Sequence, residues 1–140
     1  MTKTIIFDYD GTIHHTLGIY EPAFRETYQW LTEQKVTEER EIGSVEIAGW
    51  LGLNSKEMWN TFLPELDQSY KEQASTMVGD LMIRQIRKHK AVWYPGAEEM
   101  LTALKNRGYH LVILSNCKAS YREAPVSYTH LRAHETGAYL

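Results

Sequence analysis

The sequence contains little cysteine, no excess of positive charge and no long apolar run. Its 140 residues include a single cysteine, Cys117, so no disulfide bond can form within the chain and we expect a reducing, cytoplasmic environment. Fifteen basic residues stand against eighteen acidic ones, and a net charge of -3 gives no electrostatic reason to expect a nucleic-acid partner. Neither a signal peptide nor an apolar run of roughly 18 residues is present, so we expect no membrane partner.

The residues that are abundant predict one folded domain with a real core. Hydrophobic residues make up 43% of the chain and charged residues 24%, which is typical of a globular protein. Two apolar runs, residues 4–7 and 109–114, lack polar alternation and predict strands of a parallel sheet that is covered on both faces. The fold class that we expect is α/β, with a Rossmann-like parallel sheet and a large helical insert between its first two strands.

The insert and the second strand are framed by helix signals. Asn54 followed by Glu57 predicts a capping box at the start of a helix, and another amphipathic stripe begins near Asp67. Proline is tolerated in the first turn of a helix, so we predict that Pro22 lies in the first turn of its helix. A helix that begins after the Tyr-Pro-Gly break at residues 94–96 is expected to end at Gly108, before the second strand.

Two carboxylates follow the first apolar run, and their spacing indicates chemistry. Asp8 and Asp10 lie where a parallel strand ends, at the sheet edge where such folds bind ligands. One aspartate can form a covalent aspartyl phosphate, and the other can exchange a proton with the leaving group or with water. Gly11 permits a sharp turn, and Thr12 offers a hydroxyl and an N–H to an anion. A divalent ion with oxygen ligands, Mg²⁺ above all, would offset the repulsion between acids and phosphate.

A second polar pair strengthens this interpretation. A lone D-x-D pattern is better explained as a capped turn, because aspartate often closes turns. Here Ser115 and Asn116 follow the second predicted strand in the same way that the aspartates follow the first. Their hydroxyl, amide and backbone N–H groups are suited to phosphate oxygens. The two sites together favour a function over a structural turn.

These motifs resemble those of the haloacid dehalogenase (HAD) superfamily. Its first motif is D-x-D-G-T, and its second is a serine or threonine, often followed by asparagine, at the end of the next core strand. The helical insert resembles the C1-type cap of the phosphoglycolate phosphatase and β-phosphoglucomutase branch. The resemblance implies a discontinuous core at residues 1–13 and 93–124, a helical cap at 14–92, and a tail at 125–140 that we expect to be non-native or disordered.

The resemblance also implies a role for each motif residue. Asp8 is expected to be the nucleophile and a ligand of Mg²⁺. Asp10 is expected to be the general acid and base, and its backbone carbonyl also binds the metal. Four further residues are expected to hold phosphate oxygens of the substrate: Gly11, Thr12, Ser115 and Asn116. The expected function is a Mg²⁺-dependent phosphatase that hydrolyses a small phosphorylated metabolite through an aspartyl phosphate.

Two departures from the family pattern leave alternatives open. His15 stands where this branch often has an acid, and nothing after Ser115 supplies the later lysine and acidic pair of the family. We therefore expect a chain that is truncated at its C-terminus and weakly active. The alternatives are a phosphomutase of the same superfamily and a non-catalytic fragment or phosphate-binding module. For His14 and His15 the alternatives are contacts with substrate and a solvated linker, and we predict solvated linker residues.

Overall fold

The computed structural model describes residues 3–88 and 92–114 of the chain. Two strands and five helices follow one another in the order β1 Thr4–Asp8, α1 Leu17–Glu33, α2 Ser44–Ala48, α3 Ser55–Phe62, α4 Gln68–Arg87, α5 Ala97–Asn106 and β2 His110–Leu114. Both strands and the helical insert between them match the expected fold class. The predictions for Ser115, Asn116, Cys117 and the tail lie outside the described residues.

The two strands form a parallel pair. Thr4 lies opposite His110, and Asp8 lies opposite Leu114, so both strands end at the same edge of the sheet. A parallel pair needs a crossover connection, and α5 is the helix that leads directly into β2. The carboxyl ends of the strands are therefore adjacent, as the sequence predicts.

Helix α5 covers one face of this sheet. A small core unites Tyr9 and Ile13 with Ala97 and Leu101 of the helix, and four partly buried side chains pack against it: Phe7, Trp93, Leu111 and Ile113. The opposite face carries Ile6, which is 61% exposed. The expectation that β1 is covered on both faces is therefore wrong for the described residues. An apolar strand without polar alternation is typical of a sheet with helices on both faces, and within residues 3–88 and 92–114 only one face has such cover.

The larger core lies within the helical insert. Phe24 of α1 is fully buried, and its ring centroid lies 5.0 Å from that of Trp50, 5.9 Å from Trp59 and 5.3 Å from Phe62. Helices α1 and α4 pack along each other, and Ile19 meets Ile86 where α1 begins and α4 ends. Trp50 and Trp59 thus pack within the core of the helical insert. No helix in the described part of the chain is long and apolar enough to cross a bilayer.

The helix boundaries follow local signals with one exception. Asn54 and Glu57 form the complete capping box, and Asp67 caps α4 through the Ser69 N–H at 2.8 Å. Gly108 has a φ of +81° just after α5 and ends that helix as predicted. Pro22, however, does not lie in a first turn, because α1 already begins at Leu17. The helix tolerates it at the cost of one backbone hydrogen bond.

Candidate active site

The site begins where β1 ends. Asp8 is the last residue of that strand, its side chain is exposed, and it is paired in register with Leu114 at the end of β2. The Thr12 hydroxyl donates a hydrogen bond to Asp8 Oδ2 at 3.2 Å. The structure thus places the first predicted acid in the open, at the edge where both strands end. The predicted partners that follow β2 lie beyond the described residues.

A tight turn follows Asp8 and wraps around one carbonyl oxygen. The carbonyl of Tyr9 accepts hydrogen bonds from the N–H groups of Thr12, Ile13 and His14 at 3.0 to 3.2 Å. Gly11 has a φ of +76°, a left-handed conformation that glycine adopts without strain. Because Tyr9 and Ile13 are buried beneath α5, the turn is anchored in the sheet core. This anchoring sets the direction in which the two acidic side chains leave the backbone.

Asp10 is held by a residue outside the D-x-D-G-T motif. The Thr16 hydroxyl donates to Asp10 Oδ1 at 3.0 Å and accepts the N–H of Gly11 at 3.1 Å. Thr16 is also the N-cap residue of α1, yet its side chain makes no capping bond to that helix. The hydroxyl that would normally cap the helix is thus used to orient the Asp10 carboxylate. The first helix of the insert is joined to the site by this contact.

His14 contradicts the prediction of a solvated linker residue. It is fully buried, its ring stacks on Tyr9 with centroids 5.3 Å apart, and its Nδ1 lies 3.1 Å from Thr16 Oγ1. The cause is backbone pairing, because His14 forms bridges to Asp10 on one side and to Trp93 on the other. His15 is half-buried and meets Tyr94 edge-on at 5.2 Å. Neither histidine lies in a solvated linker.

Thr16 is the site residue that sequence reasoning missed. A threonine directly before an apolar helix reads as an N-cap, which is a sufficient local explanation for its presence. The observation that could have raised suspicion is the length of the loop, since Thr16 follows Asp10 by only six residues. A loop this short limits how far Thr16 can lie from Asp10. The side chains of both residues then meet.

The donor chemistry of the two acids suits a hard cation. Mg²⁺ prefers oxygen ligands and is commonly bound by one or two carboxylates together with water and substrate phosphate. Asp8 and Asp10 offer such oxygens, and the exposure of Asp8 leaves its carboxylate accessible. Within residues 3–88 and 92–114, no group of three histidine, cysteine or acidic side chains is assembled that could hold a metal. The two acids therefore fit Mg²⁺ in kind and supply part of a ligand set.

A parallel α/β core with an acid at the end of its first strand, followed by a helical insert, defines a class of proteins. The family model of haloacid dehalogenase-like hydrolases matches residues 2–134 of the chain. The chain belongs to the haloacid dehalogenase-like hydrolase family. A comparison with curated proteins finds no match.

Solved structures share this fold at low sequence identity. CbbY from Rhodobacter sphaeroides in complex with phosphate has a TM-score of 0.66 and 20% identity, over 89% of this chain and 55% of that one. A variant of CbbY from Rhodobacter sphaeroides in complex with xylulose-(1,5)-bisphosphate has a TM-score of 0.66 and 19% identity, over 89% of this chain and 55% of that one. A predicted phosphatase from Clostridium acetobutylicum has a TM-score of 0.70 and 18% identity, over 98% of this chain and 60% of that one. The chain therefore spans 55% to 60% of the length of these structures.

Proposed function

We propose that the chain carries the nucleophile-bearing part of a Mg²⁺-dependent phosphatase that acts on a small phosphorylated metabolite. The observation that carries this proposal is the position of Asp8. It is the exposed last residue of β1, in register with the end of a parallel strand, and a hydroxyl donates to its carboxylate. This is the sheet edge at which α/β proteins bind their ligands. The phosphate and bisphosphate bound to CbbY support a phosphorylated substrate.

Asp8 and Asp10 divide the chemistry between them. An Asp8 oxygen attacks the phosphorus, the bond from phosphorus to the ester oxygen breaks, and Asp10 gives that oxygen a proton. Water then attacks the phosphorus of the aspartyl phosphate while Asp10 takes a proton from the water. Inorganic phosphate is released and the Asp8 carboxylate is restored. Each step needs Asp10 in a defined orientation, which the Thr16 hydroxyl supports at 3.0 Å.

Phosphate oxygens need donors as well as a nucleophile. We assign this role to Gly11, Thr12, Ser115 and Asn116. Mg²⁺, bound by Asp8 and Asp10, would neutralise phosphate charge and so lower the electrostatic barrier to attack by a carboxylate. The N–H groups of Gly11 and Thr12 donate within the turn and the Thr12 hydroxyl donates to Asp8, so each would exchange its present acceptor for a phosphate oxygen when substrate binds.

The helical insert is the part that we propose selects the substrate. Its own core, centred on Phe24, is distinct from the small sheet core under the site. Two packed units joined through the segment around Thr16 and the return at residues 92–93 can move relative to one another while each keeps its packing. Residues 14–92 would then act as a cap that closes over phosphorylated metabolites. The chemistry would remain with the acids of the core.

The first test measures hydrolysis of p-nitrophenyl phosphate in the presence of Mg²⁺. We expect Asp8→Asn to reduce the rate to background, because the amide is no nucleophile, and Asp10→Asn to reduce kcat by roughly 10²- to 10⁴-fold. Asp67→Asn is the matched control: it makes the same change of side chain at a residue that caps α4 and has no part in the proposed chemistry, so it should retain the rate of the unmodified chain. Thermal unfolding of each variant verifies that it is folded.

The outcomes separate the candidate functions. Equal rates for the unmodified chain and Asp8→Asn would remove the nucleophile assignment. Binding of inorganic phosphate by the unmodified chain, without hydrolysis, would instead identify a non-catalytic phosphate-binding module. Loss of activity in Asp67→Asn as well as in Asp8→Asn would indicate general damage rather than a role of Asp8.

A further inference from the structure

The buried ring of His14 poses a hydrogen-bonding problem. The side chain is fully buried, and only its Nδ1 has a partner among the described residues, Thr16 Oγ1 at 3.1 Å. Its Nε2 is buried without any hydrogen-bond partner in this part of the chain. A buried polar atom without a partner costs free energy, so the position of the ring proton matters. The stack on Tyr9, with the two rings 12° from parallel, holds the ring in place.

The hydrogen bonds of Thr16 determine where that proton belongs. A hydroxyl has one proton to donate and two lone pairs to accept. The Gly11 N–H is shared between the His14 carbonyl at 3.0 Å and Thr16 Oγ1 at 3.1 Å, and the second contact uses one lone pair of the hydroxyl. Two acceptors other than the ring compete for the proton: Asp10 Oδ1 at 3.0 Å and the His14 carbonyl at 3.3 Å. The carboxylate is the stronger and closer acceptor, so the Thr16 hydroxyl donates its hydrogen bond to Asp10.

The second lone pair of Thr16 Oγ1 is then left for His14, which must donate from Nδ1. The opposite arrangement, with the proton on Nε2, carries two costs. It buries an N–H that has no partner in the described structure, and it makes Nδ1 compete with Asp10 for the only hydroxyl proton of Thr16. Nδ1 itself lies 3.6 Å from Asp10 Oδ1, too far for a direct hydrogen bond. The hydrogen-bonded link from the His14 ring to the Asp10 carboxylate therefore passes through Thr16.

We propose that His14 is a positioning residue for Asp10. Its Nδ1–H donates to Thr16 Oγ1. The Thr16 hydroxyl therefore keeps donating to Asp10 Oδ1, and this hydrogen bond fixes the orientation of the carboxylate. The chain of donors is thus His14 to Thr16 to Asp10, with the Gly11 N–H as the second donor to Thr16. The link to catalysis rests on the proposed role of Asp10 as proton donor and acceptor. The chain of hydrogen bonds itself does not depend on that role.

Nitrogen NMR of the unmodified chain tests the donor chain without any assay of activity. Long-range proton–nitrogen spectra of ¹⁵N-histidine-labelled protein distinguish a protonated ring nitrogen from a bare one. We expect a protonated Nδ1 and a bare Nε2 for His14, with the signals assigned by their absence in His14→Asn. A proton on Nε2, or an averaged pair of shifts, would overturn the proposal. Thr16→Val should shift the Nδ1 signal, because it removes the acceptor.

Two isosteric variants test the positioning role. The amide of His14→Asn lies near the former Nδ1 and can still donate to Thr16, whereas the amide of His14→Gln lies near the former Nε2. Because orientation of Asp10 affects the proton-transfer step, we expect kcat for p-nitrophenyl phosphate to be about tenfold lower in His14→Gln than in His14→Asn, with KM similar in both. Equal kcat in the two variants would contradict the positioning role.

The same experiments separate this proposal from the proposed function. If Asp8→Asn hydrolyses as fast as the unmodified chain, or neither is active, the proposed function fails and the NMR result alone decides the donor chain. If Asp8→Asn is inactive but His14 carries its proton on Nε2, the positioning proposal fails and the phosphatase assignment stands.

Discussion

The backbone conformation of the turn at the site depends on a single residue, Gly11. Its φ of +76° is a conformation that costs a residue with a side chain about 1–2 kcal/mol. This glycine stands between Asp10 and Thr12, so the turn that orients both carboxylates passes through it. Thr16 and His14 also matter at the level of single atoms, because the Thr16 hydroxyl contacts both the Asp10 carboxylate and the His14 ring.

Substitution of Gly11 by alanine should therefore destabilise the chain through the backbone alone. Among the described residues, apart from its two chain neighbours, no atom lies within 4 Å of a Cβ added at Gly11, so no clash arises there. We expect the free energy of unfolding in urea to fall by about 1–2 kcal/mol. Gly52→Ala is the matched control, because its new Cβ also meets nothing within 4 Å and its φ is not left-handed. An equal loss in both variants would contradict backbone strain as the cause.

Among the elements, α3 depends on the residue that caps its N-terminus, Asn54. Ser55–Phe62 is a helix of eight residues, and a helix this short is marginal without stabilising contacts at its ends. The Asn54 side chain accepts the Glu57 N–H at 2.9 Å, and the Glu57 side chain accepts the Asn54 N–H at 3.1 Å. The same helix contributes the fully buried Trp59 to the insert core. Loss of the cap therefore affects packing as well as local hydrogen bonding.

We expect Asn54→Ala to lower the free energy of unfolding by about 1 kcal/mol. Asn54→Asp retains a side-chain oxygen that can accept from Glu57 and should lose much less. Chemical denaturation followed by tryptophan fluorescence measures both variants. If the alanine and aspartate variants unfold at the same denaturant concentration, the capping box contributes nothing measurable.

For the whole molecule, most of the buried apolar side chains that the structure describes lie in the helical insert. Within residues 3–88 and 92–114, the sheet core has four buried hydrophobic residues, whereas the insert core has fourteen, with aromatic rings around Phe24. Lys71 is also buried there, and its Nζ donates to Asn60 Oδ1 at 3.0 Å and to the Pro64 carbonyl at 2.9 Å. These contacts tie α4 to α3 and to the loop between them. We therefore expect the insert to govern global unfolding.

Phe24→Ala tests this expectation. The substitution leaves a cavity among Trp50, Trp59 and Phe62, and we expect a loss of about 3–5 kcal/mol in the free energy of unfolding. Val45→Ala is the control, because Val45 is 89% exposed and should change stability by less than about 0.5 kcal/mol. Similar unfolding midpoints for both variants would show that the insert core does not govern stability.

Local signals account for the features that could be predicted from the sequence. The apolar runs before Asp8 and before Ser115, the Asn54 capping box and the stop at Gly108 each involve neighbours along the chain. The burial of His14 and Lys71 involves partners that are distant in sequence or require a particular fold, and no local pattern reports them. The exposure of Ile6 likewise depends on which layers cover the sheet, which an apolar strand does not reveal.

The sequence by itself determined that a short apolar strand leads into two carboxylates, because strand propensity and the D-x-D-G-T spacing are properties of adjacent residues. Only the tertiary structure decided how Asp10 is held. The local sequence predicts that Thr16 caps a helix. Its hydroxyl instead donates a hydrogen bond to Asp10, because the loop folds back on β1. His14 reads as a solvated linker residue, and it becomes buried because its backbone pairs with Asp10 and Trp93. Pairing between separated segments is a property of the folded chain, so no short stretch encodes it alone.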